Sequence, residues 1–282
     1  MIKRLASLIF PRLLGSVPKN VKLLYPFYLA GRLNTVRTAH QSPSVPPAFD
    51  GFRIAYASDI HFGPLFHEHE ALALAERLRE LDADLTILGG DFGNEPDNAL
   101  KFIQLLPPFP EGRLAVAVLG NHDYGPKWPG MEKRLEEEMR QKNIRLLFNQ
   151  VHPVTRDGGV MAVCGPEDFR VGKPDLKAMM KGAEGADYVL FIPHNPDLIP
   201  EAHQAGFRFH LAICGHTHGG QIVFFGRSLH SSSEYGDRYR SGWYREQGAD
   251  ILVSEGVGTS ILPMRIGTRS MVHEVTLIHK AQ

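Results

Sequence analysis

The sequence predicts an α/β fold in which two sheets pack together with helices outside. Short apolar runs alternate with helical patterns from Gly51 onward, the alternation expected of strands joined by helices. The second half of the chain holds more strand candidates and fewer helices, which favours two sheets over one. The strands also end in Asp, His or Asn, and open α/β sheets bind ligands beyond the carboxyl ends of their strands.

The elements follow in order. Residues 53–57 form a short apolar strand, and residues 68–81 carry Leu and Ala at helical spacing. A second strand at 85–88 precedes a helix at 98–105, and a third strand at 114–119 precedes a charged, exposed-looking helix at 131–142. Further strands are expected at 160–164, 188–192, 211–214, 221–225, 251–254 and 271–278. No internal repeat or low-complexity segment interrupts this pattern.

Apolar residues make up 43% of the 282 and charged residues 22%, which excludes a disordered or membrane-spanning chain and leaves ample core for a globular one. The two cysteines, Cys164 and Cys214, imply no disulfide framework and fit a reducing compartment. Each reads as a small buried thiol. No Cys-x-x-Cys pair supports a zinc role for Cys214.

Five strand ends carry the chemistry: Ser58-Asp59-Ile60-His61, Gly89-Gly90-Asp91, Gly120-Asn121-His122-Asp123, Pro193-His194-Asn195-Pro196 and Gly215-His216-Thr217-His218. With 14 histidines in the chain, one close pair is ordinary; five such clusters at consecutive strand ends are not. The candidate ligands are Asp59, His61, Asp91, Asn121, His194, His216 and His218. They are nitrogen and oxygen donors without sulfur, too many for one tetrahedral ion. Shared over two ions with one common carboxylate, they leave positions open for water and substrate. Two ions roughly 3.5–4 Å apart form the clamp used for in-line displacement at phosphorus, with a water made acidic by both cations as nucleophile. Imidazole with carboxylate suits Mn, Fe or Zn better than Ca or Mg. Gly215, Gly219 and Gly220 suit a chain turning closely around something bound.

These motifs, in this order, resemble those of the calcineurin-like metallophosphoesterases, over about residues 52–278. The extended forms His194-Asn195-Pro196-Asp197 and Gly215 to Gln221 are similar to a bacterial phosphodiesterase branch often found with an N-terminal membrane segment. The resemblance implies a four-layer αββα sandwich of two mixed sheets flanked by helices. It implies that Asp59, His61 and His218 hold one ion, that Asn121, His194 and His216 hold the other, and that Asp91 bridges them. It makes His122 the catalytic group that steadies the phosphate and protonates the leaving oxygen, with Asp123 orienting its ring. Two departures stand out. Asn94 replaces a second acid often found after Gly90-Asp91, and Asp123 and Glu95-Pro96 replace features of the protein Ser/Thr phosphatases, which argues against a phosphoprotein substrate.

Zero net charge hides an asymmetry. Of 31 Lys and Arg, seven fall within residues 1–49, where there is no acid, leaving 24 against all 31 acids in the rest. The arm interleaves Lys and Arg with Leu, Ile, Phe and Tyr, but its apolar runs are broken by Pro11, Pro18 and Pro26. They are too short for a spanning helix or a signal peptide. Such a mixture favours lying in the interface of an anionic bilayer; a segment packed on the body is the alternative. The domain expectation is therefore a basic apolar arm over 1–49, with a Pro-rich linker at 41–49, and a catalytic body over 50–282. Peripheral attachment through residues 1–40 to the inner face of the cell membrane, on the cytoplasmic side, follows. The acidic body opposes nucleic acid.

The expected substrate is a phosphodiester or pyrophosphate, and the arm favours a lipid-linked one such as UDP-2,3-diacylglucosamine of lipid A synthesis. A soluble nucleotide phosphodiesterase or nuclease, and a non-catalytic metal-binding scaffold, are the alternatives. Arg265 is read as either a fork for phosphate or a plain surface arginine. Trp128, Phe224, Phe225 and Trp243 are candidates for an acyl groove, with core packing as the default.

Overall fold

The computed structural model describes residues 17–281. Its first sheet is built from β1 (Asn34–Ser42), β2 (Arg53–Ala57), β3 (Leu85–Leu88), β4 (Leu114–Ala117), β5 (Ile144–Leu146) and the last strand of the chain. The second sheet takes β6 (Gln150–Arg156), β7 (Gly159–Gly165), β8 (Tyr188–Phe191) and β9 (Leu211–Cys214). A small hairpin, β10 (Val223–Phe224) and β11 (Arg227–Ser228), stands apart before β12 (Gly242–Glu246), β13 (Ala249–Val253) and β14 (Met271–His279).

The first sheet has the order β1-β14-β2-β3-β4-β5 and the second β12-β13-β9-β8-β7-β6. Both are mixed: β2 to β5 run parallel while β14 lies antiparallel to β2, and β7, β8, β9 and β13 run parallel between antiparallel edges β6 and β12. The central strands LTIL, YVLF and LAIC are buried at every position. Continuous apolar runs of this kind belong to strands covered on both faces.

Three apolar layers result. Ile54, Ile87 and Val116 of the first sheet meet Val163, Leu190 and Ile213 of the second between the sheets. Leu74 and Leu78 of the helix Glu68–Leu81, Phe102 of Pro96–Leu105 and Leu135 of Met131–Gln141 cover the outer face of the first sheet. Met179 and Ile199, from the helices Leu176–Gly182 and Leu198–Gln204, cover that of the second. The αββα sandwich is therefore the observed fold.

The helix Met131–Gln141, expected to be an exposed one, buries Met131, Leu135 and Met139 at i, i+4, i+8. The charges on its other face mask that narrow stripe. The structure also differs from the arm-and-linker expectation. Residues 34–42 are a strand paired in register along the whole of β14, and Val45 and Phe49 are fully buried between the sheets. The Pro-rich stretch folds back because its two apolar residues close the end of the core, so the folded body includes residues from Asn34 on. The first 16 residues of the arm lie outside the described residues. Among the described residues, no helix is long and apolar enough to cross a membrane.

Candidate metal centre

All seven predicted ligands converge where the carboxyl ends of β2, β3, β4, β8 and β9 meet. Asp59, His61, Asp91, His194, His216 and His218 are buried. They form two donor groups, Asp59, His61 and His218, and Asp91, His194 and His216, and a third group of His61, Asp91 and His122 overlaps both. Within each, the ligand atoms lie inside 4.8 Å of one another. Asp91 Oδ2 links the groups, at 3.3 Å from His194 Nε2 and 3.6 Å from His61 Nε2. Asn121 lines the same cleft, and its Oδ1 is buried with no partner among the described residues.

The backbone at these ends is unusual. Asp59, His61, Asp91, His216 and His218 have φ of 55°, 49°, 55°, 68° and 52°. Non-glycine residues seldom adopt this left-handed region, and such strain collects at functional sites. It turns each strand end sharply enough to aim a short side chain inward. Gly215 is required for a different reason: a Cβ there would collide with the side chains of Asp59 and Ser58.

The electrostatics suit a cation. Burial pushes His61 down to about 3 and His216 down to about 3, and holds His218 well below the ordinary histidine value. All three rings are neutral at pH 7, the form that ligates metals. His194 differs. Burial lowers it, but the carboxylates of Asp91 and Asp59 outweigh burial and raise it well above the ordinary value. Its Nδ1–H donates to Gly89 O at 2.7 Å, which aims Nε2 at Asp91. A cation held there would take the place of the proton on that Nε2. Asp59 is pushed up to about 6 by burial, in spite of His194 and with Asp91 adding to the rise.

Further polar atoms here have no partner among the described residues: both ring nitrogens of His216 and His218 Nδ1. Meanwhile His61 Nε2 and His218 Nε2 face each other at 2.9 Å. Buried polar groups are almost always hydrogen-bonded, so this many orphans in one place fits a site built to hold ions.

His122 lines the cleft, half-buried. Its N–H donates to Asp91 Oδ1 at 2.9 Å and its Nδ1 lies 3.1 Å from Asn94 O. Asp123 does something other than orient that ring. Fully buried, it accepts from the backbone N–H groups of Asp91, Gly120 and Phe92 at 2.7, 2.8 and 2.7 Å. It clamps the β3 and β4 loops to each other, and the carbonyl of Asn94 sets the His122 ring. Burial, with the Asp91 charge adding, pushes the Asp123 carboxyl up to about 7.

Arg265 corrects both of its expected readings. It is 0% exposed. Its guanidinium donates to the carbonyls of His218 at 3.1 Å, Glu255 at 2.6 Å, Gly256 at 3.3 Å and Gly258 at 2.6 Å. Burial lowers it to about 10, against the pull of Glu255 and Asp59. It ties the His216–His218 loop to residues 255–258 and, fully buried, does not line the cleft where a phosphate would sit. Trp128, Phe224, Phe225 and Trp243 are exposed rather than core residues.

The cleft holds about 370 Å3. Arg170, which the sequence reading passed over, adds a cation at its wall and donates to Ser232 O at 2.9 Å. The signal was present: β7 ends in Gly165-Pro166-Glu167-Asp168, another strand followed by acids. Buried Asp168 receives the N–H groups of Arg170 and Val171 at 2.8 and 3.1 Å and so shapes this turn.

A sandwich of this topology with paired His/Asp groups at its strand ends defines a metal-dependent phosphoesterase. Residues 52–220 match the calcineurin-like phosphoesterase family, and the chain belongs to it. It is 26% identical over 253 residues to the metallophosphoesterase YkuE of Bacillus subtilis, covering 87% of this chain and 85% of that one. It is 29% identical to the phosphodiesterase YaeI of Escherichia coli, covering 80% and 82%. A bovine transmembrane protein with a metallophosphoesterase domain is 24% identical, covering 94% of this chain and 65% of its own length. The chain is thus a hydrolase of phosphoric esters whose His/Asp clusters are able to hold metal ions.

Proposed function

We propose that this chain is a two-metal phosphodiesterase acting on a lipid-linked phosphodiester or pyrophosphate at a membrane surface, of the kind represented by UDP-2,3-diacylglucosamine. One observation carries the catalytic part: two donor groups side by side, with Asp91 of one reaching His61 of the other. Asp59, His61 and His218 would hold one ion and Asn121, His194 and His216 the other, with Asp91 placed between the two groups. Mn, Fe and Zn suit these donors. The bound pair supplies Lewis-acid charge and an acidic water for in-line displacement at phosphorus.

The chain's own residues do the rest. Asp123 keeps Asp91 and Gly120 in place through their amides. Asn94 O takes the Nδ1–H of His122, which leaves Nε2 to carry a proton toward a leaving oxygen. Arg170 brings charge to the incoming phosphate. The basic arm supports the lipid part of the reading.

His122→Ala tests the proton transfer. Turnover of bis-p-nitrophenyl phosphate is expected to fall about 10²–10⁴-fold, with metal content by atomic emission unchanged. Unchanged turnover would remove His122 from the chemistry. Assaying UDP-2,3-diacylglucosamine in mixed micelles beside soluble diesters tests the substrate. Release of UMP from the lipid supports the reading. Cleavage of soluble diesters alone would replace it with a soluble nucleotide phosphodiesterase.

A further inference from the structure

Large apolar side chains stand in solvent on loops at the metal cleft and on segments bonded to those loops. Phe225 is 105% exposed, Leu229 71% and Ile261 79%, and Leu23 in the arm is 91% exposed. They come from distant parts of the sequence but from segments hydrogen-bonded to one another. Arg265 N donates to Pro26 O at 2.9 Å, joining residues 21–26 to the loop before Arg265. Val223 N donates to Ile266 O at 2.8 Å, joining that loop to the β10–β11 hairpin. Gln221 Nε2 donates to Leu262 O at 2.9 Å, and Leu229 and Ile261 themselves line the cleft.

The backbone shows that these side chains are not incidental. Phe225 and Gly226 form a two-residue hairpin turn with φ of 49° and 80°. Asn-Gly is the favoured pair at such a turn, because both residues need positive φ. Ile261 sits at φ 64°, a true outlier for a β-branched residue. Each of these two positions holds a bulky apolar side chain out into water where Asn or Gly would be cheaper. Strain kept in this way points to a use.

The charge around the rim agrees. Residues 17–33, 221–233 and 256–270 contain Lys19, Lys22, Arg32, Arg227, Arg265 and Arg269 and no Asp or Glu, with Glu70 paired to Lys19, Asp237 bonded to Ser228 of the hairpin and Glu255 to the Arg269 amide from outside these segments. Arg265 is turned inward; Lys22, Arg32, Arg227 and Arg269 are exposed. Exposed apolar side chains among basic ones are the composition that enters the interface of an anionic bilayer.

We propose that the β10–β11 hairpin, the loop carrying Ile261 and residues 21–25 together form a docking surface for anionic lipid, which sets the mouth of the metal cleft against the headgroups. This rests on the membrane part of the function above and deepens it: docking is through the body's rim as well as the arm, and it orients the site.

The test uses the full chain with metal restored, sedimented with phosphatidylcholine vesicles with and without phosphatidylglycerol. The wild type is expected to partition onto the anionic vesicles and to be released by salt. Phe225→Asn with Ile261→Asn should lower that partition by about tenfold or more, from the apolar area lost. Its melting temperature should hold or rise, because both turns relax. Phe225→Asn alone should keep the turnover of bis-p-nitrophenyl phosphate. Wild-type partition that the double substitution leaves unchanged would overturn the rim alone. A wild type that binds neither vesicle would overturn the membrane reading with it, while hydrolysis of the soluble diester would still report on the metal centre separately.

Discussion

Asp91→Asn is expected to lower the turnover of bis-p-nitrophenyl phosphate by roughly 10²–10³-fold, the loss typical when one preorganised electrostatic group is removed. The substitution keeps the shape of the side chain and leaves an oxygen for the His122 N–H, which donates to Asp91 Oδ1 at 2.9 Å. What it removes is the charge that holds His194 above its ordinary value and that faces a histidine of each donor group. Metal binding should weaken with it. A cation at about a hundred times its dissociation constant stabilises the fold by about 2.7 kcal/mol, a rise in melting temperature of roughly 5 °C for a chain of this size. The wild type should show such a rise on adding Mn, and Asp91→Asn much less of one. An equal rise in both would mean that the ions bind without Asp91.

Arg265→Met should be the most destabilising change near the site, by about 3–5 kcal/mol. Four carbonyls accept from the guanidinium, and each buried acceptor left unpaired costs about 1–3 kcal/mol, partly relieved as the loops shift. Arg265→Lys keeps the charge without the planar fork and should recover part of the loss. Urea denaturation measures both. His218 O is one of the four acceptors, so affinity for metal should fall in parallel with stability. If Arg265 instead gripped substrate phosphate, Arg265→Lys would unfold like the wild type and change only KM.

How much of this was legible in the sequence depends on where each residue's partners lie. The central strands were readable because strands buried on both faces are written as unbroken apolar runs. Their chemistry was readable because Asp59, Asp91, Asn121, His194 and His216 follow those runs within a few residues. The edge strands were not. β6 contains Pro153, and β1 and β12 mix exposed with half-buried positions; an edge strand with one covered face makes a weak alternation that reads as loop. Asp123 was misassigned because its partners are backbone amides from another strand end, which spacing along the chain does not display. Arg265 was misread because a buried arginine is rare unless paired, and its partners here are carbonyls of a loop that the sequence leaves unplaced. The left-handed turns at five of the ligands carry no glycine signal, since the residues that bear the strain are the Asp and His that do the chemistry.

The central claim is a pair of cation sites joined by one carboxylate. The measurement that tests it most directly is metal stoichiometry with turnover on the same protein. The chain is stripped with chelator and titrated with Mn, counting bound ions per chain and assaying bis-p-nitrophenyl phosphate at each step. The account predicts no turnover in the stripped protein, two ions bound at saturation, and turnover that follows the second. Turnover that survives stripping, or a single ion at full activity, would contradict it.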